Sequence, residues 1–325
     1  MIVVTDFDYS DDTIERDIVT SSNLEFLSMQ AKSQDEIIFG AQEAVSLITQ
    51  YAYIGKECID GLPNLKHIAR YGVGTDIVDV DYATKKGIQV TNVPADYCVA
   101  EVADHALAFL LSFARGLKSY DLDTRLGKWH WQTAAPLQRL SESTVGIVGM
   151  GRIGKAIASR VSAFGSQIIS FDPYLPPGSS VSGVVKMVDF SDLLRLSDYV
   201  IIQAPLTPET RNMFDANAIS RMKNGSVLIN TGRGPIVDTK AVDDALNSGQ
   251  LRGAAFDDLP EEPSKKKNWT PQDALFKNER TLISPHAAYY SEQSIAFCRE
   301  YAATEAVLFA KGQPVRSPVN QVKDR

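Results

Sequence analysis

Three ionisable side chains in the second half of the chain could act together: Arg233 in Asn-Thr-Gly-Arg-Gly-Pro, Glu262 in Pro-Glu-Glu-Pro and His286 in Ser-Pro-His-Ala-Ala. Each follows a short apolar run that reads as a buried strand, at 227–230, 253–256 and 281–283. Ligands of open α/β sheets bind outside the carboxyl ends of the strands, so these residues are expected along one edge of a sheet. An arginine offers a planar fork of donors that can grip a carboxylate and polarise a carbonyl beside it. A histidine titrates where it can give or take a proton near neutral pH. A carboxylate next to that histidine would raise its pKa and keep it charged. Together they would suit the reduction of a 2-oxo acid, or its reverse, by hydride transfer with nicotinamide. Singly, each has a plainer reading: a turn residue between glycines, a loop cap after Pro285, and a solvated acid.

The reductant has a place to bind. Val145, Ile147 and Val148 read as a strand, followed by Gly149-Met150-Gly151-Arg152-Ile153-Gly154, an amphipathic helix, and a second strand at 167–171 that ends on Asp172. In such a unit Gly149 permits the tight turn, Gly151 lets the backbone approach a pyrophosphate, and Gly154 lets the helix pack close to the strand. The helix start presents N–H donors and a positive dipole end. Asp172 can accept from an adenosine ribose. It would repel a 2′-phosphate, and Pro173 and Tyr174 supply no arginine to bind one, so NAD is expected over NADP.

The elements that must position these residues alternate. Strands are predicted at 2–5, 24–29, 44–49, 67–71 and 88–91, with helices at 35–42, 56–62 and 79–86. One long helix is predicted over 99–118. After the glycine unit come strands at 199–203 and those before Arg233, Glu262 and His286, with helices at 190–196, 216–222, 239–248 and 292–311. Strands alternating with helices imply parallel sheets covered on both faces, an α/β fold. The glycine unit begins with a full alternating domain already behind it, and the last helix has no strand to follow. The simplest arrangement sends that helix back to the first domain. Residues 1–103 and 288–325 would then form one domain and 104–287 the nucleotide-binding domain inserted into it.

The chain has 325 residues, 44% of them apolar, and a formal net charge of −7. An acidic chain is a poor match for nucleic acid, which wants a basic face. Three cysteines are too few and scattered for a disulfide framework, so a reducing cytoplasm is expected. The N-terminus reads as a first strand and not a signal peptide. The most apolar helix carries Glu101, Asp104, His105 and Arg115, so it is not expected to span a membrane. No metal site is expected.

With these residues in hand, the chain resembles the D-isomer-specific 2-hydroxyacid dehydrogenases. The resemblance rests on Val148 through Gly154 with Asp172, on the run from Met222 to Asp238 containing Arg233, and on Ser284-Pro285-His286-Ala287-Ala288. It implies two Rossmann-like domains and catalytic roles for Arg233, His286 and Glu262, the last preferred over Glu261 because it precedes a proline. It implies cofactor contacts at Gly149, Gly151, Arg152, Ile153, Gly154, Asp172, Thr231, Gly232, Asp257 and Ala288. It implies that backbone N–H groups of Val73 and Gly74, in Tyr71-Gly72-Val73-Gly74-Thr75-Asp76, hold the substrate carboxylate. Tyr289 stands near the substrate, where tryptophan is common in the C-terminal-binding-protein branch that this chain resembles most. That branch includes NAD-sensing corepressors, so an NAD(H)-sensing protein with little turnover is the alternative to an enzyme. Arg70 occupies the place of an arginine found in phosphoglycerate dehydrogenases and is either a binder of a second anionic group or a salt-bridged surface residue. Residues 117–140, with Trp129 and Trp131, resemble the arm by which the family forms homodimers; packing within the domain is the other reading.

Overall fold

The computed structural model describes residues 1–260, 270–271 and 274–322. They form two compact units, the first from residues 1–97 and 291–322 and the second from residues 98–260, 270–271 and 274–290. The boundaries at 103/104 and 287/288 read from the sequence fall within the helix that opens the second unit and in the segment after its last strand.

In the first unit the strands β1 (Ile2–Val4), β2 (Phe26–Ser28), β3 (Ser46–Thr49), β4 (His67–Arg70) and β5 (Gln89–Asn92) form one parallel sheet in the order β2-β1-β3-β4-β5. The helices α1 (Thr13–Ser21), α2 (Gln34–Gly40), α3 (Lys56–Asp60) and α4 (Val80–Lys85) connect them. Alternate strand residues point to opposite faces. Val3, Leu47, Ile68 and Val90 therefore pack with Ile37, Cys58 and Ala83 of α2, α3 and α4. Ile2, Val4, Ile48 and Ala69 pack with Val19 of α1 and with Cys298, Ala302 and Ala306 of the C-terminal helix (Glu292–Ala310). Truncating any of the large core residues to alanine would cost about 2–5 kcal/mol.

The second unit opens with α5 (Val99–Arg115), which packs against α7 (Arg152–Ser162) and the larger sheet. The predicted single helix over 99–118 is broken. Gly116 adopts φ +62, and a Cβ there would meet the Ala134 side chain at 2.3 Å, so the chain turns and restarts as α6 (Leu117–Arg125). The sheet is built from β6 (Thr144–Val148), β7 (Gln167–Phe171), β8 (Ser180–Val181), β9 (Val185–Met187), β10 (Tyr199–Ile202), β11 (Ser226–Asn230), β12 (Leu251–Phe256) and β13 (Thr281–Ile283), in the order β13-β12-β11-β10-β6-β7-β9-β8. All neighbours are parallel except β8 and β9. The chain leaves β6 towards β7 and later returns to β10 on the other side of β6, so the strand order reverses there, the place where open sheets bind ligands.

Three further helices, α8 (Phe190–Leu196), α9 (Ala216–Ser220) and α10 (Thr239–Ser248), start from Asp189, Asp215 and Asp238, each accepting a backbone N–H of the first turn. Such caps contribute about 1 kcal/mol apiece. Helix α7 starts differently: its N-cap is Gly151, with no side-chain cap.

Candidate active site

The turn after β6 is built around glycines because side chains cannot fit. Gly149 holds φ +96, and a Cβ on it would meet the Gln203 carbonyl oxygen, just past β10, at 2.7 Å. A Cβ on Gly154 would meet the Gly149 oxygen at 2.1 Å, so α7 can approach β6 only with hydrogen at that position. At Gly151 an added Cβ would touch nothing within 4 Å. The demand there is open space in front of an uncapped helix start. Asp172, just past β7, turns its carboxylate back over this turn, accepting from the Met150 N–H at 2.9 Å and the Tyr174 N–H at 3.0 Å. A narrow glycine turn, an open space at Gly151, a helix start without a side-chain cap and an acidic residue beside it suit NAD: the first-turn donors for its pyrophosphate, the acid for its ribose. Arg152 and Ile153 open α7, the first exposed and the second packed into the core between α5, α7 and the sheet.

Along the same edge, β11 delivers Asn230, whose side chain shapes the next residues. Its Oδ1 accepts from the Gly232 N–H at 3.0 Å and its Nδ2 donates to the Arg233 carbonyl at 2.9 Å. Thr231 is buried and accepts from Gln203 Nε2. Gly232 lies close under the Ala204 carbonyl, where a Cβ would come to 3.1 Å. Arg233 is half-buried, with Nη1 donating to the Gly232 carbonyl at 3.0 Å.

Just past β12 stands Asp257, only 3% exposed. Its Oδ1 accepts from Ser284 Oγ at 2.5 Å and from the Ala287 N–H at 2.8 Å, and its Oδ2 accepts from the Ala288 N–H at 2.9 Å. Its carbonyl accepts from the His286 N–H at 2.6 Å. Asp257 therefore clamps the turn after β13, and the clamp has work to do because His286 sits at φ +53. That left-handed conformation is uncommon outside glycine and costs of order 1–3 kcal/mol for a strained residue. The half-buried His286 ring meets the Tyr289 ring edge-on at 6.1 Å between centroids. The second unit thus brings Arg233, Asp257 and His286 to the carboxyl ends of adjacent strands. Glu262 lies outside the described residues.

In the first unit the loop after β4 has its own geometry. Gly72 holds φ +113, and a Cβ there would meet Arg70 Nη1 at 1.7 Å, so the glycine makes room for the guanidinium. The Asn92 side chain donates to the Val73 carbonyl at 2.7 Å and Val93 N–H to the Gly72 carbonyl at 3.1 Å, which fixes the loop. Among the described residues nothing accepts from the Val73 or Gly74 N–H, and the buried Nε of Arg70 has no hydrogen-bond partner. Sequence reasoning did not single out Ser284 or Asn230 as shaping residues, although both lie in the quoted signatures, and it gave His105 no role. His105 Nε2 lies 2.8 Å from Ser284 Oγ and 3.8 Å from Asp257 Oδ1, a contact across 179 residues that no local pattern could show.

Comparison with known proteins follows the same lines. The profile described as "D-isomer specific 2-hydroxyacid dehydrogenase, NAD binding domain" matches residues 107–288. The chain is 34% identical over 252 residues to D-3-phosphoglycerate dehydrogenase of Mycobacterium leprae, covering 77% of this chain but only 46% of that one. It is 37% identical over 283 residues to glyoxylate reductase of Thermococcus litoralis, covering 85% of this chain and 83% of that one. The structure superposes on D-lactate dehydrogenase of Aquifex aeolicus, solved with NAD and lactic acid, with a TM-score of 0.86, 26% identity and 96% of each chain covered.

Proposed function

Because the chain belongs to the D-isomer-specific 2-hydroxyacid dehydrogenase family, with NAD as its cofactor, we propose that it interconverts a 2-oxo acid and a D-2-hydroxy acid. The observation that carries this reading is the placement of Arg233 and His286 at the same sheet edge as the glycine turn, past the carboxyl ends of β11, β13 and β6. Bound NADH supplies the hydride. Arg233 grips the substrate carboxylate and polarises the 2-oxo group, and the N–H groups of Val73 and Gly74 take the remaining carboxylate charge. His286 gives its proton to the substrate oxygen during reduction and recovers one from water afterwards. Glu262 is proposed to keep that imidazole charged. Asp172 favours NAD over NADP.

Arg70, whose Nε has no partner among the described residues, extends the proposal to substrate class. A cation whose buried Nε lacks a partner suits a substrate with a second anionic group, phosphate or carboxylate. The glyoxylate reductase and phosphoglycerate dehydrogenase relatives bracket the possibilities, without and with such a group. The same reading makes the protein a cytoplasmic homodimer that pairs through residues 117–140, where Trp129 and Trp131 are 86% and 73% exposed.

The test is NADH consumption by the purified protein with glyoxylate, pyruvate, 2-oxoglutarate and 3-phosphohydroxypyruvate. One of the two doubly anionic acids should give the highest kcat/KM. Arg70→Ala should lower that value by about 10–100-fold, the loss of a charged hydrogen bond, while sparing glyoxylate. Equal losses on all four acids would remove Arg70 from the substrate site. No consumption with any acid, despite tight NADH binding, would replace the enzyme with a sensor.

A further inference from the structure

The geometry points to His105, on α5, as a positioning residue that holds the His286 turn through Ser284 and Asp257. Asp257 is buried and accepts from Ser284 Oγ, Ala287 N and Ala288 N, so its carboxylate acts only as an acceptor. The Ser284 hydroxyl proton is therefore committed to Asp257 Oδ1. His105 Nε2, 2.8 Å from Ser284 Oγ, must then be the donor of that pair, which fixes its tautomer. The chain of donation runs Nε2–H to Oγ, then Oγ–H to Oδ1. Each bond polarises the next.

The far end of this chain is what matters. The two carboxylate oxygens and the carbonyl of Asp257 together hold the N–H groups of residues 286, 287 and 288, and so keep His286 at its unfavourable φ. Without a donor on His105, the Ser284 hydroxyl has an alternative rotamer in which the carboxylate loses its bond from Ser284. The His105 ring is itself held edge-on by Phe109, one helical turn along α5, at 4.6 Å between centroids. A residue 181 positions away in sequence from His286 thus sets how firmly the His286 turn is held. The kinetic half of this inference rests on the proton-transfer role of His286 proposed above. The structural half does not.

The experiment compares full-length wild type with His105→Leu, His105→Gln and Ser284→Ala. It reads amide hydrogen exchange at residues 287 and 288 without substrate, then kcat and KM for the best 2-oxo acid. His105→Leu and Ser284→Ala should each speed exchange at both amides and lower kcat by about tenfold or more with KM little changed, as expected for loss of one charge-linked hydrogen bond. His105→Gln, whose amide N–H can reach the same oxygen, should restore both readouts to within about threefold of wild type, since the donor is kept. Gln as impaired as Leu, or unchanged exchange at 287 and 288 in both His105→Leu and Ser284→Ala, would overturn the proposal. If wild type reduces no 2-oxo acid, the proposed activity fails, while the exchange comparison still decides the role of His105.

Discussion

Two glycines of the nucleotide turn can be separated by what a methyl group would strike. Gly154→Ala drives Cβ into backbone, 2.1 Å from the Gly149 oxygen, and no side chain can move aside to relieve it. That clash outweighs the gain of up to about 1 kcal/mol that alanine brings to a helix. Gly151→Ala meets nothing in the protein and keeps an ordinary extended backbone. Gly154→Ala should therefore lower both the melting temperature and NADH affinity. Gly151→Ala should leave the melting temperature within about 2 °C, as for a neutral surface change, and weaken NADH by about tenfold or more through obstruction of the pyrophosphate alone. Thermal shift and fluorescence titration check both. Equal melting losses would show that Gly151 is also a packing residue. The roles of Gly149 and Gly154 were legible in the sequence, because a strand, a turn and a helix around the motif leave little else for them to do. Asp172 was legible as an acid ending the next strand, but its hold on the Met150 N–H was not, since that bond joins two loops on neighbouring strands that are 22 residues apart in the chain.

Among the elements, the C-terminal helix is fastened by a buried ion pair. Arg299, 5% exposed, donates from Nε and Nη2 to the two carboxylate oxygens of Glu15 on α1, itself 1% exposed. Tyr71, at the start of the glycine loop after β4, donates to the same carboxylate at 2.9 Å. Removing one partner strands a charge away from water, which costs about 3–5 kcal/mol. Arg299→Met should destabilise the first unit by that amount in urea unfolding, and Glu15→Leu with Arg299→Met should lose less than Arg299→Met alone. A single-variant loss under about 1 kcal/mol would mean that water reaches the pair. The sequence shows the long helix over 292–310 plainly but not this pair, because neither partner stands out among solvated charges. The same limit explains three other misses. Helix α1 lay in a polar stretch with few apolar residues. The apolar period of α5 runs on past Gly116, which hid the break before α6. The short β8–β9 hairpin occupies a loop-like segment rich in Pro, Gly and Ser.

For the molecule as a whole, alkaline pH should act on the first unit. Burial pushes the Cys58 thiol up to about 12, and burial with the neighbouring Glu15 carboxylate raises the Tyr71 phenol well above its ordinary value. Both groups stay protonated in the folded state while the unfolded chain ionises. The unfolded state then binds fewer protons, so stability falls as pH rises. For Cys58 the loss should begin near the ordinary thiol value of about 8.5–9 and end near its folded value. Unfolding free energy measured between pH 7 and pH 11 should decline, and Cys58→Ala should make the decline shallower even though it starts lower. A flat profile in the parent protein would show that the thiol titrates normally in the fold. The α/β class at this scale was readable from strand–helix alternation, whereas the reversal of strand order at β6 needed the three-dimensional pairing.

The first unit takes a helix from the far end of the chain, and this sets an order of events during synthesis. Five strands leave the ribosome early, yet the side of their sheet formed by Ile2, Val4, Ile48 and Ala69 has only α1, through Val19, to cover it until Ala302 and Ala306 are made. By then the inserted unit has emerged complete and can fold on its own schedule. The nascent protein spends that interval with a greasy sheet face partly exposed, which makes the N-terminal segment a natural client for chaperones and the place where a truncated product would first aggregate.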